Sequence, residues 1–202
     1  MNSGDADPTH VALVCHPHPL FGGTMHNKVV YHATKALNGF GFPVLRFNFR
    51  GAGLSEGEHD EGRSEKDDVR AALDWLKREF NLPVIFAGFS FGASVGLRAC
   101  CPLPEVMALI SLGTPVHADG RSYSFNFLSQ CAKPKLFVSG DHDPYGPREE
   151  LERVVAGAAE PKKLVLIETA GHFFEGKLDQ MRAAVHKWIA ELLPQARTAR
   201  PL

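Results

Sequence analysis

The feature of this chain that most limits its fold is a repeated alternation of short apolar runs with longer amphipathic stretches. Runs such as Val84-Ile85-Phe86-Ala87 and Ala108-Leu109-Ile110 lack the polar break at every second residue, as strands covered on both faces should. Each is bounded by Gly, Pro or Asp and followed by a helix-like segment, so the pattern predicts a mostly parallel sheet with helices on either side. Strands are expected at 11–15, 43–49, 83–88, 106–112, 135–139 and 163–168, and helices at 27–38, 64–80, 91–101, 147–156 and 174–193. The helix at 64–80 is the clearest. Ser64 is placed to cap it, Glu65, Asp67 and Asp68 suit the positive end of its dipole, and Val69, Ala72, Leu73 and Leu76 form one apolar stripe.

No linker, repeat or low-complexity block divides the 202 residues, so one domain is expected over 1–202, with 1–10 a short lead and 195–202 a loose tail. The formal charge of −1 gives no field to gather nucleic acid or anionic lipid. No stretch approaches the roughly 20 apolar residues of a membrane span, and Met1 to Thr9 carries no basic-then-apolar export pattern. A cytoplasmic protein acting on a small molecule, with neither nucleic acid nor membrane as partner, is the expectation. Cys15, Cys100, Cys101 and Cys131 lack regular spacing and are read as reduced, mostly buried thiols.

The chemistry concentrates in Gly88-Phe89-Ser90-Phe91-Gly92, which follows a predicted strand and opens a predicted helix. That is the setting of a nucleophile elbow, in which a sharp turn presents the serine hydroxyl and leaves the next amide, Phe91 N–H, free to donate. A serine hydroxyl needs a base, and the base needs a carboxylate to fix its tautomer. Two later loops supply both in the order this chemistry uses: Ser139-Gly140-Asp141-His142-Asp143-Pro144, then Ala170-Gly171-His172-Phe173-Phe174. Both should open at the carboxyl rim of the sheet, beside Ser90. His172 is the base. Asp143 is preferred over Asp141 as the acid because it stands further from the strand end, where the loop can swing toward the histidine.

A second oxyanion donor should come from His16-Pro17-His18-Pro19-Leu20-Phe21-Gly22-Gly23. Pro17 and Pro19 have no N–H, which points to Leu20 N–H. Reading His10, His16, His18 and His26 as metal ligands is disfavoured, because no carboxylate or cysteine completes a recognisable spacing; no metal and no cofactor are expected.

The stretches His16-Pro17-His18-Pro19, Gly22-Gly23-Thr24-Met25, Asn27-Lys28-Val29-Val30, Arg46 to Gly51, Gly53, Ser55, Gly88 to Gly92 and Gly171-His172-Phe173-Phe174 together resemble the small lidless α/β hydrolases related to dienelactone hydrolase. The resemblance runs from about Val11 to Trp188. It implies an α/β-hydrolase three-layer sandwich of about six strands, and a triad of Ser90, Asp143 and His172 with oxyanion donors at Phe91 and around Leu20. The chain departs from that pattern in lacking the antiparallel strands that usually precede the first one. The 43–49 strand should then lie near one edge of the sheet, where a homodimer could form.

The 113–134 span is too short for a cap domain. Rim candidates for substrate contact are Phe21, Tyr145 and Phe173, with Tyr123, Phe125, Phe127 and Phe174 considered beside them. Arg50 lies near the rim and could hold a substrate carboxylate, although a structural bond to nearby loop carbonyls is the simpler role. The expected activity is a carboxylesterase cleaving small esters through an acyl-enzyme. Thioesterase, peptidase and lactone hydrolase use the same triad, and a binding protein that keeps the fold without the chemistry is the alternative outside enzymes.

Overall fold

The computed structural model describes residues 7–118 and 121–195. Of the expected lead and tail, 1–6 and 196–202 lie outside the described residues. Six strands form one sheet: β1 (Val11–Cys15), β2 (Val44–Arg46), β3 (Val84–Phe89), β4 (Val106–Leu112), β7 (Lys135–Gly140) and β8 (Lys162–Ile167). Their order is β2-β1-β3-β4-β7-β8, every pair is parallel, and β2 is an edge strand as expected. Between β4 and β7 the chain makes a small antiparallel hairpin, β5 (His117–Ala118) with β6 (Arg121–Ser122), then a short 3-10 turn at Asn126–Gln130. Among the described residues of the 113–134 span, that is all the regular structure present.

The strand pleat sorts side chains into two cores. From β1, Val11, Leu13 and Cys15 pack with α2 (Glu65–Phe80), α3 (Phe91–Cys100) and α4 (Arg148–Gly157) on one face. Ala12 and Val14 pack with α1 (Lys28–Asn38) and α5 (Leu178–Leu192) on the other. The α2 stripe lies where its spacing puts it, with Val69, Leu73 and Leu76 buried against the sheet. Covering both faces with helices is what leaves β1 and β3 without a polar side chain along their whole length.

Three local expectations are revised. The 43–49 strand stops at Arg46 because the segment after it bonds the neighbouring loop through side chains: Phe49 N–H donates to Nε2 of His16 (2.9 Å), and the Asn48 side chain accepts Met25 N–H at Oδ1 (2.8 Å). Ser64 does not cap α2 with its side chain; its hydroxyl bonds Asp60 Oδ2. Glu65 is fully buried instead, with its carboxylate accepting Asp60 N–H and Gly62 N–H at 2.9 and 2.8 Å. The last helix begins at Leu178 rather than at 174, because buried Phe174 has φ +53° and breaks the helical run.

The cysteine expectation is corrected. Cys101, capping α3, and Cys131, closing the 3-10 turn, form a disulfide with Cα atoms 5.8 Å apart, and only Cys15 and Cys100 are free and buried thiols. The fold brings together two residues separated by 30 positions, which spacing in the sequence does not disclose.

Candidate active site

Because all six strands of the main sheet run the same way, the loops after β1, β3, β7 and β8 open on one rim. The chain order reverses between β1 and β3, since β2 lies on the far side of β1 while β4 lies beyond β3. Such a switch point is where open α/β sheets gather ligands.

Ser90 follows β3 with φ 54° and ψ −121°, a conformation that costs a non-glycine residue on the order of 1–3 kcal/mol. The strain falls on the serine itself. The flanking glycines serve close approach: a Cβ on Gly88 would stand 2.6 Å from the Gly92 carbonyl oxygen, and one on Gly92 would strike the carbonyl of His16. Ser90 N–H is anchored to Leu112 O at 2.9 Å. The Phe91 amide, at the first helical position, has no partner within its helix.

The three groups expected to meet do so. His172 Nε2 lies 2.9 Å from Ser90 Oγ, and His172 Nδ1 lies 2.8 Å from Asp143 Oδ2. An ionised carboxylate only accepts, so Nδ1 carries the proton and Nε2 has a lone pair for the serine hydroxyl. Asp143 is held firmly: Oδ1 accepts Tyr145 N–H (2.9 Å) and Gly146 N–H (3.4 Å), and Oδ2 also accepts the Ser139 hydroxyl (3.2 Å). Asp141 is turned elsewhere, its Oδ1 4.0 Å from Nε2 of His142. Phe89, Tyr145 and Phe173 surround the His172 ring at centroid distances of 4.9, 4.6 and 5.1 Å.

Leu20, the expected second donor, is directed away. Its N–H faces its own loop, 3.3 Å from His18 Nδ1, the residue is 64% exposed, and it does not line the cleft. The 3-10 turn at Pro19–Phe21 causes this, since the His18 side chain caps it by accepting the Leu20 N–H. His18 does line the cleft, and its N–H has no hydrogen-bond acceptor among the described residues. Buried His16 fixes the start of this loop, with Nδ1–H donating to Pro17 O at 2.6 Å and Nε2 accepting Phe49 N–H. Burial pushes its pKa down to about 4, so it stays neutral.

The cleft over Ser90 has a volume of about 160 Å³. Phe21, Tyr145 and Phe173 line it as expected, together with Tyr123. Phe125 and Phe174 are core residues, and Phe127 packs against the core beneath Arg98. Arg50 is not at the cleft. Its guanidinium forks onto Asp68 at 2.6 and 3.1 Å, a carboxylate partner rather than the loop carbonyls expected. The described residues hold no group of three or more His, Cys, Asp or Glu side chains able to share a metal ion.

Neither His18, which the sequence offers only within its loop and as a disfavoured metal ligand, nor Arg121 is assigned a cleft role from sequence, and both line the cleft. A backbone donor has no side-chain signature. For Arg121 the available signal was the Asp119-Gly120 pair, a dipeptide common in hairpins, just before it in the sequence.

Comparison with known proteins bears on the family and the fold. A family model described as an alpha/beta hydrolase domain matches residues 13–193. An uncharacterised protein of Rickettsia prowazekii is 36% identical over 188 residues, covering 89% of this chain and 78% of its own. Among solved structures, an alpha-beta serine hydrolase homologue from Coxiella burnetii is 37% identical with a TM-score of 0.84, covering 94% of this chain and 88% of its own. A serine hydrolase without a lid from Xanthomonas campestris is 36% identical with a TM-score of 0.86, covering 98% and 88%. Six parallel strands between helical layers, an elbow serine and these relatives lead to one assignment: the chain belongs to the alpha/beta hydrolase domain family.

Proposed function

We propose that the protein is a serine hydrolase that cleaves small carboxylic esters through an acyl-enzyme, with Ser90 as nucleophile, His172 as general base and acid, and Asp143 as the group that orients His172. The observation that carries this reading is the unbroken chain of short contacts from Ser90 Oγ through the imidazole to Asp143. Ser90 Oγ bonds to the ester carbonyl carbon as its proton passes to His172 Nε2. The C–O bond to the alcohol then breaks, and the leaving oxygen takes that proton. Water next gives a proton to His172 and attacks the acyl carbon, releasing the acid and restoring the Ser90 hydroxyl.

The negative oxygen formed at each addition needs two donors. Phe91 N–H is one, and we assign His18 N–H as the other in place of Leu20, because it is unpartnered and lies on the cleft. Phe21, Tyr145 and Phe173 supply apolar contact for the substrate. The small open cleft and short hairpin suit compact esters rather than long acyl chains.

A fluorophosphonate probe tests the reading. The expected result is one covalent adduct on the native protein and none on Ser90→Ala or His172→Ala, with turnover of short 4-nitrophenyl esters lost in parallel. A native protein that takes no adduct and turns over no ester would remove the proposal. Turnover confined to thioesters or peptides would keep the nucleophile and change the substrate class.

A further inference from the structure

The triad chemistry makes no use of one charged side chain in the cleft. Arg121, on β6, lines it together with Ser90. Among the described residues that line the cleft it is the one arginine or lysine, and no Asp or Glu lines it. Nη1 of Arg121 meets Nε2 of His18, Tyr123 shares the cleft lining with it, and Nη2 lies 3.8 Å from Glu61 Oε1. None of these cancels its charge. His18 is neutral, its pKa pushed down to about 4 by burial and then by Arg121 and His59. Glu61 stands beyond hydrogen-bond reach with its side chain 61% exposed, where water and salt screen the pair. A guanidinium has five N–H donors, so donors remain for a ligand.

The cleft also has two chemically different ends. Tyr145 and Phe173 flank His172, whereas Phe21, Phe91 and Arg121 gather around His18. In acyl transfer the leaving oxygen must depart within reach of the imidazole that protonates it. The alcohol half therefore belongs at the aromatic His172 end, and a group held at the His18 end belongs to the acyl half. One guanidinium matches one carboxylate through two parallel N–H···O bonds, and the described lining offers no second cation for a phosphate dianion.

We propose that Arg121 is a specificity-determining residue that binds the free carboxylate of a dicarboxylic half-ester, whose neutral alcohol portion lies against Tyr145 and Phe173. This rests on the ester-hydrolase reading above.

The test compares kcat/KM for mono-4-nitrophenyl adipate and for 4-nitrophenyl 6-methylheptanoate, in which an isopropyl group replaces the carboxylate, each corrected for spontaneous hydrolysis. The native protein should favour the adipate ester by about 10- to 100-fold, the span of a charge-assisted contact. Arg121→Met should abolish or reverse that preference, chiefly through KM for the adipate ester. Arg121→Lys, which keeps the charge and loses the fork, should retain an intermediate preference, and it answers the question should the methionine variant fail to fold. Glu61→Gln should raise the preference. A native protein indifferent to the carboxylate, or an Arg121→Met variant that loses both esters by one factor, overturns the assignment and makes Arg121 a hairpin clamp. If Ser90 takes the fluorophosphonate and neutral esters turn over without carboxylate preference, only the Arg121 inference fails. With neither adduct nor turnover, the hydrolase reading fails too.

Discussion

Asp141 and Asp143 stand two positions apart on one loop, yet only one can hold the imidazole. Asp143 receives the Tyr145, Gly146 and Ser139 donors that fix its carboxylate 2.8 Å from His172 Nδ1, whereas Asp141 faces His142. Asp143→Asn should therefore lower kcat on 4-nitrophenyl acetate by about 10³- to 10⁴-fold, because an amide can stabilise the wrong tautomer. Asp141→Asn should change it by less than about threefold, and the reverse ranking in steady-state assays would reassign the acid. Ser90 and His172 were legible because each follows a strand in the order the chemistry needs, and Asp143 because of its reach along the loop. His18 and Arg121 were not, since the role proposed for one uses a backbone N–H and the other reaches the cleft only through a hairpin contact across the fold.

Among the elements, the apolar runs located every strand of the main sheet, most plainly β1 and β3, where burial on both faces leaves no room for polar positions. What the runs could not show was where a strand yields to competing side-chain bonds, as β2 does when Phe49 N–H turns to His16. That bond works only with neutral His16, because a protonated Nε2 would set two donors against each other. The folded pKa near 4 lies below the ordinary value of about 6.5, so the unfolded chain binds more protons between these limits. Stability from His16 is therefore whole above about pH 6.5 and is lost as pH falls toward and through 4. Urea unfolding should show a loss of about 2 kcal/mol from this residue between pH 7 and pH 5, because each tenfold rise in proton activity across that window favours the unfolded chain by up to about 1.4 kcal/mol. His16→Gln should be less stable than native at pH 7 and should lose about that much less on acidification. Equal losses in the two proteins would mean that His16 is not the group being titrated.

For the whole molecule, a parallel sheet places all its loops of one kind on one rim, so chain order alone was enough to forecast that the 88–92, 141–143 and 171–174 segments converge. No such rule governs contacts made across the rim or behind it. The disulfide between Cys101 and Cys131 is the clearest case, joining the end of the elbow helix to the turn that leads into β7. The sequence places Cys101 next to a free thiol and 30 residues from its partner. A cross-link across that separation removes unfolded-state entropy equivalent to about 3–4 kcal/mol in the loop-closure model. For a chain near 200 residues this corresponds to roughly 10 °C in Tm. The double variant Cys101→Ser/Cys131→Ser should melt lower than the oxidised native protein by about that amount, and full reduction should bring the native protein close to the variant. Labelling with iodoacetamide under non-reducing denaturation should modify two cysteines, Cys15 and Cys100, and four after reduction. Four labels without reductant, together with an unchanged Tm in the double variant, would show that Cys101 and Cys131 are not joined and that packing alone holds the 3-10 turn against α3.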